Sequence, residues 1–329
     1  PPKLRPQAMN RRTLLLRSGV AALGLSLPAF LRAAPAGPAK KVLFFSKSSG
    51  YEHSAIKRNG GQPSFAEQVL TELGSKHGFA FTFSKDGSRF TPEYLAQFDA
   101  FFFYTTGDLT TAGTDQHPPM TAAGKQAFLD AIKAGKGYVG THSASDTFHS
   151  KESGGGNNPD RSGRYKNYGD EADPYIQMLG GEFIKHGKQQ KSPLRVVDAK
   201  FPGFAKAGSS FELNEEWYSM KDFAKNLHVL LVQETATMEG NVYQRAAYPA
   251  TWARMHGRGR VFYTSMGHRE DVWTNPLFQN LLLGGLNWAT RRVDAEVTPN
   301  LEKATPGHAE IPPQDPPAPP KKEPKKKSN

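Results

Sequence analysis

The residues best placed for chemistry are histidines beside tight turns. Lys136-Gly137-Tyr138-Val139 reads as a strand running into Gly140-Thr141-His142-Ser143-Ala144. Small residues flanking one reactive side chain are what a nucleophile elbow needs, because the turn leaves no room for bulk and pushes its central side chain into solvent. The central residue here is His142, which can shuttle protons, bind a hydroxyl or ligate a metal; the same spacing also fits a histidine that only caps the strand. Gly267-His268 repeats the pattern of a histidine after glycine at a strand end. Asp146, four residues past His142, would share its face on a helix starting at the elbow, where it could orient the imidazole or serve as a cap. Thiolate chemistry is excluded, since the chain has no cysteine. Ser143 does not occupy the elbow's apex, which argues against a serine-hydrolase triad. Gly154-Gly155-Gly156 has neither a preceding strand nor a following Lys-Ser/Thr pair, so it is not a phosphate-cradling loop.

The elements that must position these residues follow an α/β pattern. Val42-Leu43-Phe44-Phe45 and Ala100-Phe101-Phe102-Phe103-Tyr104 are continuous apolar runs, as expected of strands buried on both faces. Ser64-Phe65-Ala66-Glu67 has capping-box spacing and opens a helix whose Phe65, Val69 and Leu73 should face the sheet. Phe79 to Phe83 reads as a strand, Thr91-Pro92-Glu93 as a helix start, and Lys125 to Ala134 as a helix stopped by Gly135. Such alternation predicts a mostly parallel sheet with helices on both faces and its ligand site at the strands' carboxyl ends. Segments 46–53, 105–108 and 142–149 fall on that rim. Later, Val196-Val197 and His228 to Val232 read as strands. Thr251 to Met255 and Arg260 to Thr264 form a hairpin, and Pro276 to Ala289 a terminal helix packing Leu277, Leu281 and Trp288. Lys151 to Asp170, rich in Gly, Asn and Arg, reads as a long loop that is functional, disordered or both.

The ends differ from the body. Asn10-Arg11-Arg12-Thr13-Leu14-Leu15 is a twin-arginine pattern, followed by an apolar stretch and Ala34-Pro35-Ala36 as a cleavage site; a general-secretion signal is the other reading. Met9, just before the arginines, is a candidate start. Residues 1–36 are therefore read as a signal peptide, 37–295 as the folded domain, and 296–329 as a disordered Pro/Lys-rich tail. The expected location is periplasmic or secreted, with no stable membrane insertion after signal removal, because the apolar stretch is short and broken by Gly and Pro. Of the net charge of +11, the first 36 residues hold six and the segment from Leu301 two, leaving +3 for the body. The basic balance thus gives no argument for a nucleic-acid partner.

Several motifs together resemble the trehalose-utilisation (ThuA-like) family of the class I glutamine-amidotransferase-like superfamily. They are Gly50-Tyr51-Glu52-His53, Gly140-Thr141-His142, Gly180-Gly181-Glu182-Phe183 with His186, Glu215-Glu216-Trp217-Tyr218, and Pro249-Ala250-Thr251-Trp252 followed by Gly259 to His268. They run in order from about residue 41 to 290. The resemblance implies a flavodoxin-like sheet and a role where disaccharides such as trehalose are processed through 3-keto derivatives.

The candidate site then gathers His53, His142, His186 and His268 with Asp146, Glu215, Glu216 and Tyr218. Alternation along an extended segment puts Glu215 with Trp217 on one face and Glu216 with Tyr218 on the other, and Glu216 is favoured for the pocket. The leading reading is an exported sugar-active enzyme acting on a disaccharide or its 3-keto derivative. His142, Asp146, Glu216 and His268 would do acid-base work, and Tyr51, His53, His186, Glu215, Trp217 and Tyr218 would bind substrate. A second reading is a non-catalytic carbohydrate-binding protein relying on Trp217, Tyr218, Tyr51 and Trp273. A third is a metal-dependent hydrolase, since three histidines and a glutamate suit zinc or a similar divalent ion, although no His-x-His or His-x-x-x-His pair signals it.

Overall fold

The computed structural model describes residues 37–151 and 162–314. The signal-peptide reading of 1–36, the glycine run at 154–156, most of the first half of the 151–170 loop and the last fifteen residues lie outside them. In the first half, β1 (Lys40–Phe45), α1 (Phe65–His77), β2 (Phe79–Ser84), α2 (Pro92–Ala96), β3 (Ala100–Phe103), α3 (Ala122–Lys133) and β4 (Gly137–Thr141) alternate as the apolar runs require. The capping box at α1 is present: Ser64 N–H donates to Glu67 Oε2 at 2.8 Å, and the Ser64 hydroxyl accepts from Glu67 N–H. The second half contains α4 (Pro174–Leu179), β5 (Glu182–His186), β6 (Gln190–Val196), β7 (Ser210–Glu215), β8 (Tyr218–Lys221), β9 (His228–Gln233), β10 (Tyr248–His256), β11 (Gly259–Thr264), α5 (Glu270–Trp273), α6 (Pro276–Ala289) and α7 (Leu301–Ala304).

Nine strands form one sheet in the order β2-β1-β3-β4-β11-β10-β9-β6-β7, and β5 pairs with β8 in a separate ribbon. From β2 to β11 all pairings are parallel, which is the flavodoxin-like order. The β10–β11 hairpin turns the sheet antiparallel, and β9, β6 and β7 extend it that way. Side-chain alternation divides the core between the two faces. Val42, Phe44 and Phe102 pack with Leu70 of α1 and Leu282 and Leu286 of α6. Leu43, Phe45 and Phe103 pack with Leu95 of α2, Phe128 and Ile132 of α3 and Leu179 of α4.

Two helix expectations hold with a difference in depth, and one expectation, on the tail, needs correction. The apolar stripe on α1 that reaches burial is Ala66, Leu70 and Leu73, with Phe65 and Val69 half-buried and packed against the same core. On α6, Leu281 and Trp288 are in the core as expected, and Leu277 packs half-buried against it. The segment expected to be disordered from 296 is packed as far as Pro312: Leu301 is buried, Asn300 bonds both backbone groups of Val229, and Arg245 donates to the His308 carbonyl. Its few apolar and amide side chains suffice because they dock on an existing edge of the core. No helix of the described residues is long and apolar enough to cross a membrane.

Candidate functional site

The carboxyl ends of β1, β4 and β11 deliver three histidines to one place. His53 comes from the loop after β1, His142 directly follows β4, and His268 follows β11 through Ser265-Met266-Gly267. Gly267 has φ +118°, and a Cβ there would stand 2.6 Å from the Thr141 hydroxyl, so only glycine lets the two turns touch. His142 has φ +44°, the left-handed conformation an elbow imposes on its central residue. The expectation that this conformation lifts the side chain into solvent fails. His142 is fully buried, covered by Tyr218 at 4.1 Å between ring centroids and by His53 at 4.9 Å. Its neighbours are the reason: β5–β8 and the end of β7 fold over the rim and roof the elbow.

Glu216, just beyond β7, completes the cluster. Its Oε2 lies 3.1 Å from His268 Nδ1 and 3.6 Å from His142 Nε2, and the two histidine nitrogens are 3.2 Å apart. One ligand atom from each of His53, His142, Glu216 and His268 lies within 4.8 Å of the others. The proton positions follow from the second neighbours. His142 Nδ1 faces the Ser265 carbonyl at 3.1 Å and must donate to it, which leaves a lone pair on Nε2. Gln189 accepts from Arg269 through Oε1 at 2.7 Å, so its amide N–H donates to His268 Nε2 at 3.0 Å. The hydrogen of a neutral His268 then sits on Nδ1, between two acceptors. Two acceptors and the His268 nitrogen thus surround one point, where a shared proton or a cation that replaces it can sit. His53 Nδ1 is buried without a hydrogen-bond partner among the described residues.

Electrostatics sharpen the arrangement. Burial, reinforced by the neighbouring His142 and His268, pushes His53 well below the usual imidazole pKa. Burial also lowers His142, against the pull of Glu216. Burial opposes ionisation of Glu216, but the neighbouring imidazoles of His142, His268 and His186 overcome it and hold the carboxyl far below its ordinary range. Glu215 points the other way, where burial lifts it to about 7 against the backbone N–H groups of Glu216, Gly267 and Arg269.

Above the cluster opens a cavity of about 720 Å³, lined by Tyr51, His53, Asp146, His149, Arg164, Phe183, Lys185, His186, Gln189, Glu216, Tyr218 and His268 among others. A larger apolar groove of about 950 Å³ between α2 and α3 contains no histidine and none of this chemistry. The alternation expected at 215–218 is observed, with Glu216 and Tyr218 on the pocket and Glu215 and Trp217 turned into the interior. Trp217 is therefore not a sugar platform; its indole N–H donates to the Gln190 carbonyl. Trp273 is buried as well, stacked on Tyr104 at 6.0 Å. Tyr51, 69% exposed at the mouth, remains available. Nor does Asp146 orient His142. The elbow continues as a tight 3₁₀ turn, and Asp146 instead bonds His149 Nε2 at 2.7 Å. His149 reaches Glu182 with its other nitrogen at 3.0 Å, and although burial opposes its charge, Asp146 and Glu182 raise its pKa. His186 approaches Glu216 Oε1 at 3.3 Å from the pocket wall. Arg164, Lys185 and Gln189 line the pocket with no advance signal in the sequence, since each sits in an irregular or edge segment without motif spacing.

Fold and site together define an α/β protein of flavodoxin-like topology with a polar, histidine-floored pocket at the carboxyl edge of its sheet. The chain belongs to the ThuA family, described as trehalose utilisation, which matches residues 41–289. Membership implies a role in trehalose utilisation. A crystal structure of a putative ThuA-like protein from Bacteroides uniformis is similar to 80% of this chain and 95% of its own, with 20% identity and a TM-score of 0.54. Another, from Parabacteroides merdae, covers 83% of this chain and 96% of its own, with 18% identity and a TM-score of 0.49. No curated protein matches the sequence.

Proposed function

We propose that the protein is a carbohydrate-processing enzyme acting on a disaccharide such as trehalose or its 3-keto derivative, exported by the twin-arginine route. The observation that carries the enzymatic reading is the convergence of His53, His142, Glu216 and His268 on one point beneath a polar cavity. A cavity of about 720 Å³ lies within the span of small-molecule sites, about 300–1,000 Å³. A pure binding module has no need of a buried, electrostatically frustrated cluster, and three of the four aromatic residues that reading relied on are buried, with only Tyr51 exposed.

Glu216 and His268 are the pocket-facing acid-base pair, and His142 acts from behind them. In a 3-keto sugar the carbonyl acidifies the C–H at C2. The base takes that proton, the C–H electrons form a double bond to C1, the C1–O bond breaks, and the departing oxygen takes a proton from the acid. Tyr51 stacks on a sugar ring at the mouth, and Asp146, Arg164 and His186 meet its hydroxyls. Proton NMR of the protein mixed with trehalose and with 3-keto-trehalose tests the reading. New sugar signals from the wild type and none from Glu216→Gln or His142→Ala are expected. Line broadening without turnover in all three proteins would establish a binding protein instead.

A further inference from the structure

We infer that His53, His142, Glu216 and His268 form a binding site for one divalent transition-metal ion of the zinc type. Bonds of about 2.1 Å to a single ion in a tetrahedral arrangement place donor atoms about 3.4 Å apart. The separations among His142 Nε2, Glu216 Oε2 and His268 Nδ1 are 3.1, 3.2 and 3.6 Å, already the edges of such a polyhedron. His53 stands within 4.8 Å as the fourth corner, with its buried Nδ1 unpartnered among the described residues. Three imidazoles and one carboxylate are a donor set for zinc, iron, nickel or cobalt rather than magnesium or calcium, which prefer all-oxygen sites.

The outer contacts are those of a ligand set. The Ser265 carbonyl fixes the His142 ring and tautomer, and His186 stands 3.3 Å from the non-ligating Oε1 of Glu216. The ion replaces the His268 Nδ1 hydrogen, which departs or moves to Nε2 as Gln189 turns. Glu216, His53 and His268 line the cavity, so a fifth ligand, taken on as the ion expands from four- to five-coordination, would come from the pocket. There the ion would bind a carbonyl or hydroxyl oxygen of the substrate and polarise it. The site stands on geometry alone. With an ion bound, Glu216 and His268 are ligands, so polarisation by the ion would replace the proton transfer proposed above for that pair, and this role rests on the same sugar reading.

The test is titration of chelator-stripped full-length protein with Zn²⁺ and with Co²⁺, following heat and the visible cobalt spectrum. One equivalent of each ion is expected, with a cobalt d–d band. Glu216→Gln, nearly isosteric, and His53→Ala should each weaken binding by at least about 100-fold, since even outer partners of ligands cost 10–100-fold. His256→Gln, on β10 away from the pocket, should bind like the wild type. Substoichiometric uptake by folded wild type, or binding unchanged in both ligand variants, overturns the site. Thermal melts of the stripped variants separate loss of a ligand from loss of fold. The sugar assay run in parallel keeps the two readings apart. Full turnover by stripped protein rejects the ion's role and leaves the enzyme, whereas stoichiometric binding with no sugar altered rejects the sugar reading and leaves the metal site.

Discussion

The carboxylate of Glu215 accepts the backbone N–H of His268 at 3.0 Å, tying the end of β7 to the turn after β11 across 53 residues of chain. The same side chain also accepts from Gly267 at 3.2 Å, Arg269 at 3.3 Å and Glu216 at 3.1 Å. Glu215 is thus a positioning residue, setting where His268 and Glu216 stand relative to each other. Glu215→Gln keeps one oxygen for three of these donors but turns an amide N–H toward Gly267. A loss of about 1–2 kcal/mol is expected on urea unfolding, and about 3 kcal/mol for Glu215→Ala. The split in kinetics separates positioning from mere structure: kcat should fall at least tenfold in Glu215→Gln while KM changes little. Equal activity at saturating sugar would show that the turn holds itself.

His142 carries both a chemical group and a strained backbone, and two substitutions separate them. His142→Ala removes the imidazole and keeps a Cβ in the left-handed region. His142→Gly removes both. The glycine variant should be more stable than the alanine variant by about 1 kcal/mol, the reverse of their order in ordinary strand or helix positions. Both should lack turnover. Chemical denaturation of the pair measures the difference, and an alanine variant the more stable of the two would argue that the φ of +44° costs nothing here.

Tyr51 reports on the sugar alone. It is 69% exposed, its ring sits edge-on to His53 at 5.0 Å, and nothing in the core depends on it. Tyr51→Ala should leave stability within about 0.5 kcal/mol of wild type. KM for the disaccharide should rise several-fold, corresponding to about 1 kcal/mol of lost stacking. An unchanged KM would place the substrate deeper, away from the mouth.

Much of the fold was legible because apolar runs and caps are local signals. Phe44-Phe45, Ala100 to Phe103, Ser64 with Glu67, and the hairpin around Gly257 each carry their reason within a few residues. The histidines of the site were legible for the same reason, each following a small residue or a strand at the rim. Their burial was not, because the roof over His142 is Tyr218, brought in by β8 pairing with β5, a contact no local pattern announces. The metal-ligand geometry was hidden likewise. Its four members are separated by 89, 74 and 52 residues along the chain, so spacing rules for paired histidines could not find them. Trp217 and Trp273 look like sugar platforms in sequence, yet each indole N–H bonds a backbone carbonyl inside the protein.

Acid stability of the metal-free protein should show the buried histidines directly. His53 and His142 are held below the ordinary imidazole pKa chiefly by burial, and His256, outside the pocket, is lowered to about 4 by burial and by Arg254 and Lys133. A group with a depressed folded-state pKa gives its full stabilisation above the unfolded value and loses it as pH falls. The loss begins near pH 6.5, where unfolded imidazoles start to take up protons, with a slope of about 1.4 kcal/mol per pH unit for each such histidine. His149, whose pKa is raised, acts in the other direction and above that window. Its contribution is complete below about pH 6.5 and is lost as pH rises through its folded value, so it does not mask the acid slope. Glu182, held at about 2 by His149, Lys221 and Ser150 against the cost of burial, weakens the fold only below about pH 4.5. Urea unfolding between pH 6.5 and 5 should therefore give a slope that drops by about 1.4 kcal/mol per unit in His53→Ala and by a similar amount in His256→Gln. Only the first of these should also abolish sugar turnover. Glu215, lifted to about 7, offsets about one such slope in this window, because the folded protein protonates it before the unfolded chain does. A slope in His53→Ala equal to that of the wild type would mean that this imidazole is solvated when the protein is folded, and the roofed site would have to be redrawn as an open one.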